Sequence, residues 1–203
     1  PITGRKQMNL IPESEMISMS LTNYSDFLKK NPPVGPGNNT EELVKRVGGK
    51  IQNAVEAFMK QQGLSSRLDG YKWEFNLVKS EEVNAWCMPG GKVVVYSGLL
   101  PVTQNESALA CVLGHEIAHA VARHGNERMS QGLLVQLGGV GLQVALSQKP
   151  QLTQDIFMQS YGLTSQLGML KYSRTHESEA DKMGIVFMAM AGYDPQTSLA
   201  FWE

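Results

Sequence analysis

The sequence predicts an α+β domain, predominantly helical, with one small β-sheet flanking a central helix. Three observations carry that prediction. Apolar residues recur at three- and four-residue spacing along most of the chain, and period-two alternation is confined to residues 73–96. A chain of 203 residues, 42% hydrophobic and 18% charged, can also bury one real core. A formal net charge of −1, with no run of Lys or Arg, excludes a nucleic-acid surface.

The elements follow in order. Residues 1–12 read as a polar arm. Met16, Met19, Leu21, Tyr24 and Leu28 give a helix over 13–30, which the Pro- and Gly-rich run 31–37 breaks. A second helix begins near Asn39 or Thr40. Its Leu43, Val47, Ile51, Val55 and Met59 line one face, and it ends near Gly63. Trp73–Val78, Val83–Met88 and Lys92–Tyr96 read as strands, the last two joined through Pro89-Gly90-Gly91 as a hairpin. Thr103 and Glu106 form a capping box that opens a helix running through His124, with Gly125 as its stop.

The stretch from Met129 to Leu146 is apolar and dotted with Gly. A core helix suits its few, uncharged polar residues, with an active-site lid or a membrane-surface helix as the alternative. Helices are expected over 153–172 and 173–190, with Gly192 closing the last and Asp194-Pro195 opening another. One domain therefore spans 1–203: an arm and helix over 1–35 and a catalytic core over 70–203. The chain starts at Pro1 and stops at Phe201-Trp202-Glu203 just after a helix has opened, so further sequence is expected beyond it. Cys87 and Cys111 lack paired ligand spacing and read as small buried hydrophobes.

The chemistry lies in His115-Glu116-Ile117-Ala118-His119. Residues i and i+4 of a helix share a face, so both imidazoles reach one ion, while Glu116, about 100° round, can address a ligand on that ion. Zinc takes imidazole and carboxylate and keeps a position open for water in catalytic sites, and H-E-x-x-H on a helix meets those needs with its Glu as general base. A third protein ligand is required. The extended variant ending in G-x-x-H fails, because Ala122 and Gly125 stand at the required positions. On one continuous helix His124 lies about 180° from His115, which makes it a surface or helix-terminal histidine. A carboxylate from the run Glu177-Ser178-Glu179-Ala180-Asp181 remains. Glu177 and Asp181 share a face, and one can bind metal while the other holds a ligand histidine; spacing does not choose between them, nor exclude a solvated acidic face.

These residues, with Asn84-Ala85-Trp86, Pro89-Gly90-Gly91, Val95-Tyr96-Ser97-Gly98-Leu99-Leu100 and Tyr172-Ser173-Arg174, resemble metallopeptidase family 48 over about residues 75 to 200. The chain looks most like the family's soluble BepA/Oma-like branch, because no stretch of about 20 apolar residues is present. The resemblance implies a zincin-like (gluzincin) fold and a zinc metalloendopeptidase with one Zn2+ per chain. Its E-x-x-x-D pattern puts the third ligand at Glu177 and the supporting acid at Asp181, with Glu116 as base, and leaves Glu179 without a role. It implies that Lys92–Tyr96 edges the cleft, so that Val93, Val94 and Val95 would pair with an extended substrate. Tyr172 and Arg174 are candidates for stabilising the oxyanion, or equally for capping the Glu177 helix. Misfolded or membrane-associated polypeptides are the implied substrates, and a periplasmic, lipid-anchored protein with membrane-surface association the implied setting. Family members continue past the Phe201-Trp202-Glu203 position with a further helix and a His-Pro element. The first seventy residues resemble the family only loosely. Two rivals are a deformylase-like hydrolase with Cys87 as third ligand and a chaperone-like assembly factor with a gated or regulatory zinc site.

Overall fold

The structure, a computed structural model, describes residues 2–137, 150–161 and 172–198. Helix α1 (Glu13–Lys30) follows Pro12 and carries acidic residues in its first turn and lysines in its last, matching the helix dipole. Helix α2 (Asn39–Gln61) is capped by Asn38, whose side chain accepts from the amides of Thr40 and Glu41. Val44, Val47, Ile51, Val55 and Met59 form its buried face, so the stripe begins at Val44 while Leu43 is only partly buried.

Strands β1 (Glu74–Val78), β2 (Ala85–Met88) and β3 (Lys92–Tyr96) form one sheet in the order β1-β3-β2. The expected hairpin joins β2 and β3 antiparallel, while β1 pairs with β3 in parallel. This corrects the placing of Val93, Val94 and Val95 at an edge. Val94 lies between Asn76 and Trp86, and β3 is hydrogen-bonded on both sides. With both of its edges taken, β3 has no backbone groups left to pair with a substrate. The resemblance placed this strand at the edge, and a parallel partner such as β1 leaves no local turn signal in the sequence that could have corrected it.

The sheet is a wall between two cores. Phe75, Leu77, Cys87, Val93 and Val95 pack towards α2, α4 and α7. Trp86, Met88, Val94 and Tyr96, pointing the other way, pack with Tyr24 of α1, Met129 and Leu133 of α5, and Phe157 of α6. The helices completing these cores are α3 (Leu100–Thr103), α4 (Glu106–Val121), α5 (His124–Leu137), α6 (Pro150–Ser160) and α7 (Arg174–Met190).

The active-site helix is shorter than predicted at both ends. Asn105, not Thr103, caps α4 by accepting from the amide of Ala108. At the far end Arg123 adopts the left-handed region at φ 63°, which terminates α4 and places His124 and Gly125 inside α5. The Arg67 guanidinium donates to the carbonyl of Val121, which the broken helix leaves without an internal partner. Of the 129–146 stretch, residues 129–137 lie in α5, with Leu133 in the core and Val135 84% exposed; the remainder lies outside the described residues. Of the 153–172 helix, α6 ends at Ser160, and residues 162–171 also lie outside them.

Helix α7 opens as expected, with Ser173 accepting from the amide of His176. It crosses α4 at a pair of glycines. A methyl group at Gly114 would stand 2.9 Å from the carbonyl oxygen of Gly184, and one at Gly184 would stand 2.9 Å from the amide nitrogen of His115. The neighbours are backbone, so they cannot swing aside. Gly184→Ala is expected to lower stability by about 1–3 kcal/mol, the usual cost of overpacking a close contact, measured by denaturant unfolding against wild type.

Candidate metal centre

Helix α4 holds His115 and His119 one turn apart, with their Nε2 atoms 3.0 Å from each other. Glu177, from the first turn of α7, brings Oε2 to 3.4 Å from His115 Nε2 and Oε1 to 3.7 Å from His119 Nε2. Among the described residues these three donors, all within 4.8 Å of one another, make up the group able to hold a metal. The glycine crossing makes this reach available, because a wider α4–α7 separation would carry Glu177 away from the imidazoles.

The donor set fits zinc. Asp181 Oδ1 lies 2.9 Å from His115 Nδ1, and a carboxylate only accepts, so that nitrogen carries the proton and Nε2 presents a lone pair. Two imidazoles and a carboxylate then aim lone pairs at one another, which is repulsive unless a cation lies between them. Nitrogen, nitrogen and carboxylate oxygen are ligands that zinc prefers. Electrostatics agree. Burial disfavours charge on His115, but Glu177, Glu116 and Asp181 outweigh it and raise the imidazole pKa, so the site attracts positive charge. Burial and the neighbouring His115 hold His119 well below the usual histidine range, which keeps it neutral, as a ligand must be.

Glu116 follows His115 on the same helix. Desolvation pushes its carboxyl up to about 7, with His115 drawing it down and Glu177 pushing it up. A divalent cation held by the neighbouring donors would lower it.

The other sequence candidates divide. The Tyr172 ring stacks on His119, with centroids 3.9 Å apart, and the Arg128 guanidinium sits over the Tyr172 ring at 4.6 Å from its centre. Arg174 is exposed and lines a shallow cavity of about 420 Å3 with Thr3, Arg5 and Lys182, apart from the ligands. Cys87 is buried on β2 and is absent from the donor cluster, so the deformylase-like reading lacks its third ligand.

Sequence reasoning missed what lies behind His119. His124, expected at the surface or a helix end, opens α5 outside the donor cluster but is 0% exposed; its Nδ1 is 2.9 Å from His119 Nδ1 and its Nε2 is 3.1 Å from Glu179 Oε2. It is buried because the chain leaves the α4 axis at Arg123. His176 stacks on His124 at 4.5 Å and bonds Glu127 at 3.0 Å. Arg5, from the arm, contacts both Glu127 and Glu179. No signal in the sequence marked them, because the first turns of α5 and α7 are polar throughout and do not show which side chains are buried.

Glu127 gives a pH prediction. Burial raises its pKa, but hydrogen bonds from Arg5 and His176 outweigh this and pull it down to about 2, from an ordinary 4.5. A carboxylate with a depressed folded pKa stabilises fully above the unfolded value, and that stability is lost as pH falls towards the folded one. Melting temperature should therefore drop between about pH 4.5 and pH 2, and Glu127→Gln should be less stable at neutral pH with a shallower acid slope. Thermal scans over that range check it.

Comparison with known proteins places these features together. Residues 46–202 match the family described as Peptidase family M48. The chain is 36% identical over 155 residues to the mitochondrial metalloendopeptidase OMA1 of Arabidopsis thaliana, covering 75% of this chain and 30% of that protein. It is 30% identical over 208 residues to the mitochondrial metalloendopeptidase OMA1 of Bos taurus, covering 100% of this chain and 38% of the relative. It is 33% identical over 135 residues to the beta-barrel assembly-enhancing protease of Escherichia coli K12, covering 64% of this chain and 28% of the relative. The chain thus spans well under half the length of these relatives. With the match running from α2 through both helices of the candidate centre, the chain belongs to peptidase family M48.

Proposed function

We propose that this chain is the catalytic domain of a zinc metalloendopeptidase. The observation that carries the reading is the convergence of His115, His119 and Glu177 on one point, with Glu116 beside it. These three residues would hold zinc, which when bound acidifies water and polarises a carbonyl oxygen. Asp181 orients His115. Glu116 accepts the proton of the water attacking the peptide carbon and returns it to the amine nitrogen as the C–N bond breaks. Tyr172, packed flat on His119, orients that imidazole and is the remaining candidate to donate towards the developing oxyanion.

An extended substrate would dock on β2. In its antiparallel register Asn84, Trp86 and Met88 turn their backbone groups towards β3, which leaves those of Ala85 and Cys87 facing outward. Cys87 also lies near enough to Glu116 for that charge to help raise its thiol pKa, after burial. Substrate strands pairing there would lie beside the base.

Polypeptides are the substrate class, and misfolded or membrane-associated proteins the favoured members. The bacterial relative is named for β-barrel assembly, which favours protein quality control at a cell envelope, whereas the relatives named mitochondrial favour an organelle. Cell fractionation distinguishes the two. Among the described residues no helix is long and apolar enough to cross a membrane. The test of the activity is cleavage of casein by the zinc-loaded chain: fragments should appear, vanish with a chelator and return with zinc. Stoichiometric zinc without cleavage would favour a gated or binding role.

A further inference from the structure

We infer that the N-terminal strap, through Arg5, sets the proton position on the ligand His119 by way of Glu179 and His124. The inference rests on the metal centre described above. For His119 to offer Nε2 to a metal, its Nδ1 must carry the proton. That N–H faces His124 Nδ1 at 2.9 Å, which must then accept. A neutral His124 accepting at Nδ1 is protonated at Nε2, and this N–H donates to Glu179 Oε2 at 3.1 Å. Glu179 is an obligate acceptor, so the relay has one direction. The two ligand histidines are thus held differently: His115 directly by a carboxylate, His119 by a carboxylate acting through a second imidazole.

Arg5 fixes the far end of this relay. Its Nε donates to Glu179 Oε2 at 2.7 Å, and its two terminal nitrogens take both oxygens of Glu127 at 2.8 and 2.7 Å. Thr3 donates to the other Glu179 oxygen. One planar guanidinium therefore spans an acid on α5 and an acid on α7, a geometry that a lysine ammonium cannot reproduce. The strap that carries Arg5 is itself pinned across the α4–α5 junction: Gln7 donates to the carbonyl of Ala122 at 2.7 Å, and Asn126 donates to the carbonyl of Ile11 at 2.8 Å. Arg5 and Glu179 touch neither metal donor nor substrate; they are positioning residues.

Glu179→Leu is the discriminating variant. Arg5 Nε and His124 Nε2 meet the same oxygen of Glu179, so a Gln could seat its amide oxygen there and keep the relay, whereas Leu offers no acceptor. Without that acceptor nothing holds the His124 proton at Nε2, and the His119 proton is released to settle on Nε2, where the metal must bind. Zinc affinity, measured by competition with a chromophoric chelator, should fall about 10- to 100-fold in E179L and about tenfold in Arg5→Gln, the range for lost outer partners of a metal ligand. Arg5→Lys should recover only part of the loss. Arg46→Ala, which breaks an exposed ion pair with Glu106, should bind zinc as wild type does. Long-range nitrogen–proton NMR of labelled histidine in the metal-free chain should show His119 protonated at Nδ1 in wild type and shifted towards Nε2 in E179L. A general loosening of the fold would not move that proton.

A folded E179L that binds zinc within about twofold of wild type, with His119 still protonated at Nδ1, overturns the inference. Should E179L fail to fold, R5Q decides by the same two readouts. Wild type that holds no zinc, or a His115→Ala variant that holds it equally well, overturns the metal centre along with the relay; zinc lost in H115A but kept in E179L and R5Q overturns the relay alone.

Discussion

Glu116→Gln leaves zinc in place and lowers turnover on an unfolded protein substrate by about a thousandfold, within the ~10²–10⁴ that a positioned general base contributes. Gln keeps the size and hydrogen-bonding shape of the side chain but cannot take a proton, and Glu116 is not a metal donor, so binding and chemistry separate. The loss should appear in kcat with KM little changed, because proton transfer is made only in the transition state. Zinc content by metal analysis and kcat on a quenched peptide check both halves. Equal turnover in E116Q would remove Glu116 from the mechanism, whatever the metal does.

His119→Ala has the opposite signature, abolishing metal binding and therefore activity. It removes one of three donors and also leaves His124 Nδ1 without its partner, so zinc affinity should fall about a thousandfold or more, beyond the ~10- to 100-fold of an outer partner. Glu177→Ala should fall nearly as far, since the carboxylate alone supplies negative charge to the donor set. Cys87→Ser should keep its zinc. A dialysis series against a chelator of known affinity ranks the three, and retention by E177A with loss in C87S would restore the cysteine reading.

The sequence declared the local features well. Apolar period and breaker residues put α1, α2 and α7 within a residue or two of their limits, because those signals are short-range: the Pro- and Gly-rich run after Lys30, Gly63 and Gly192. The histidine pair and the facing acids Glu177 and Asp181 were legible for the same reason, since i and i+4 spacing is a property of one helix. What was lost depended on contacts distant in sequence. Parallel pairing moved β3 from edge to centre. A single left-handed residue, Arg123, turned His124 from a surface position into a buried one. Nothing in Gly114 or Gly184 announces that the two will meet, and nothing in a polar arm announces that Arg5 reaches behind a metal ligand.

The separation of the donors along the chain has a consequence for biosynthesis. Residues 115–119 leave the ribosome ahead of Glu177 and Glu179 by about 3–12 s at about 5–20 residues per second. During that interval the nascent polypeptide carries the base and two imidazoles, but neither the third donor nor the acid to which Arg5 and His124 are tied. A translation product cut short between His119 and Glu177 would therefore lack the proposed metal centre, which is completed only when α7 closes onto α4 and the Arg5 segment. If the proposed activity holds, the arrangement acts as a completion check: no partly made chain would be able to cut its neighbours.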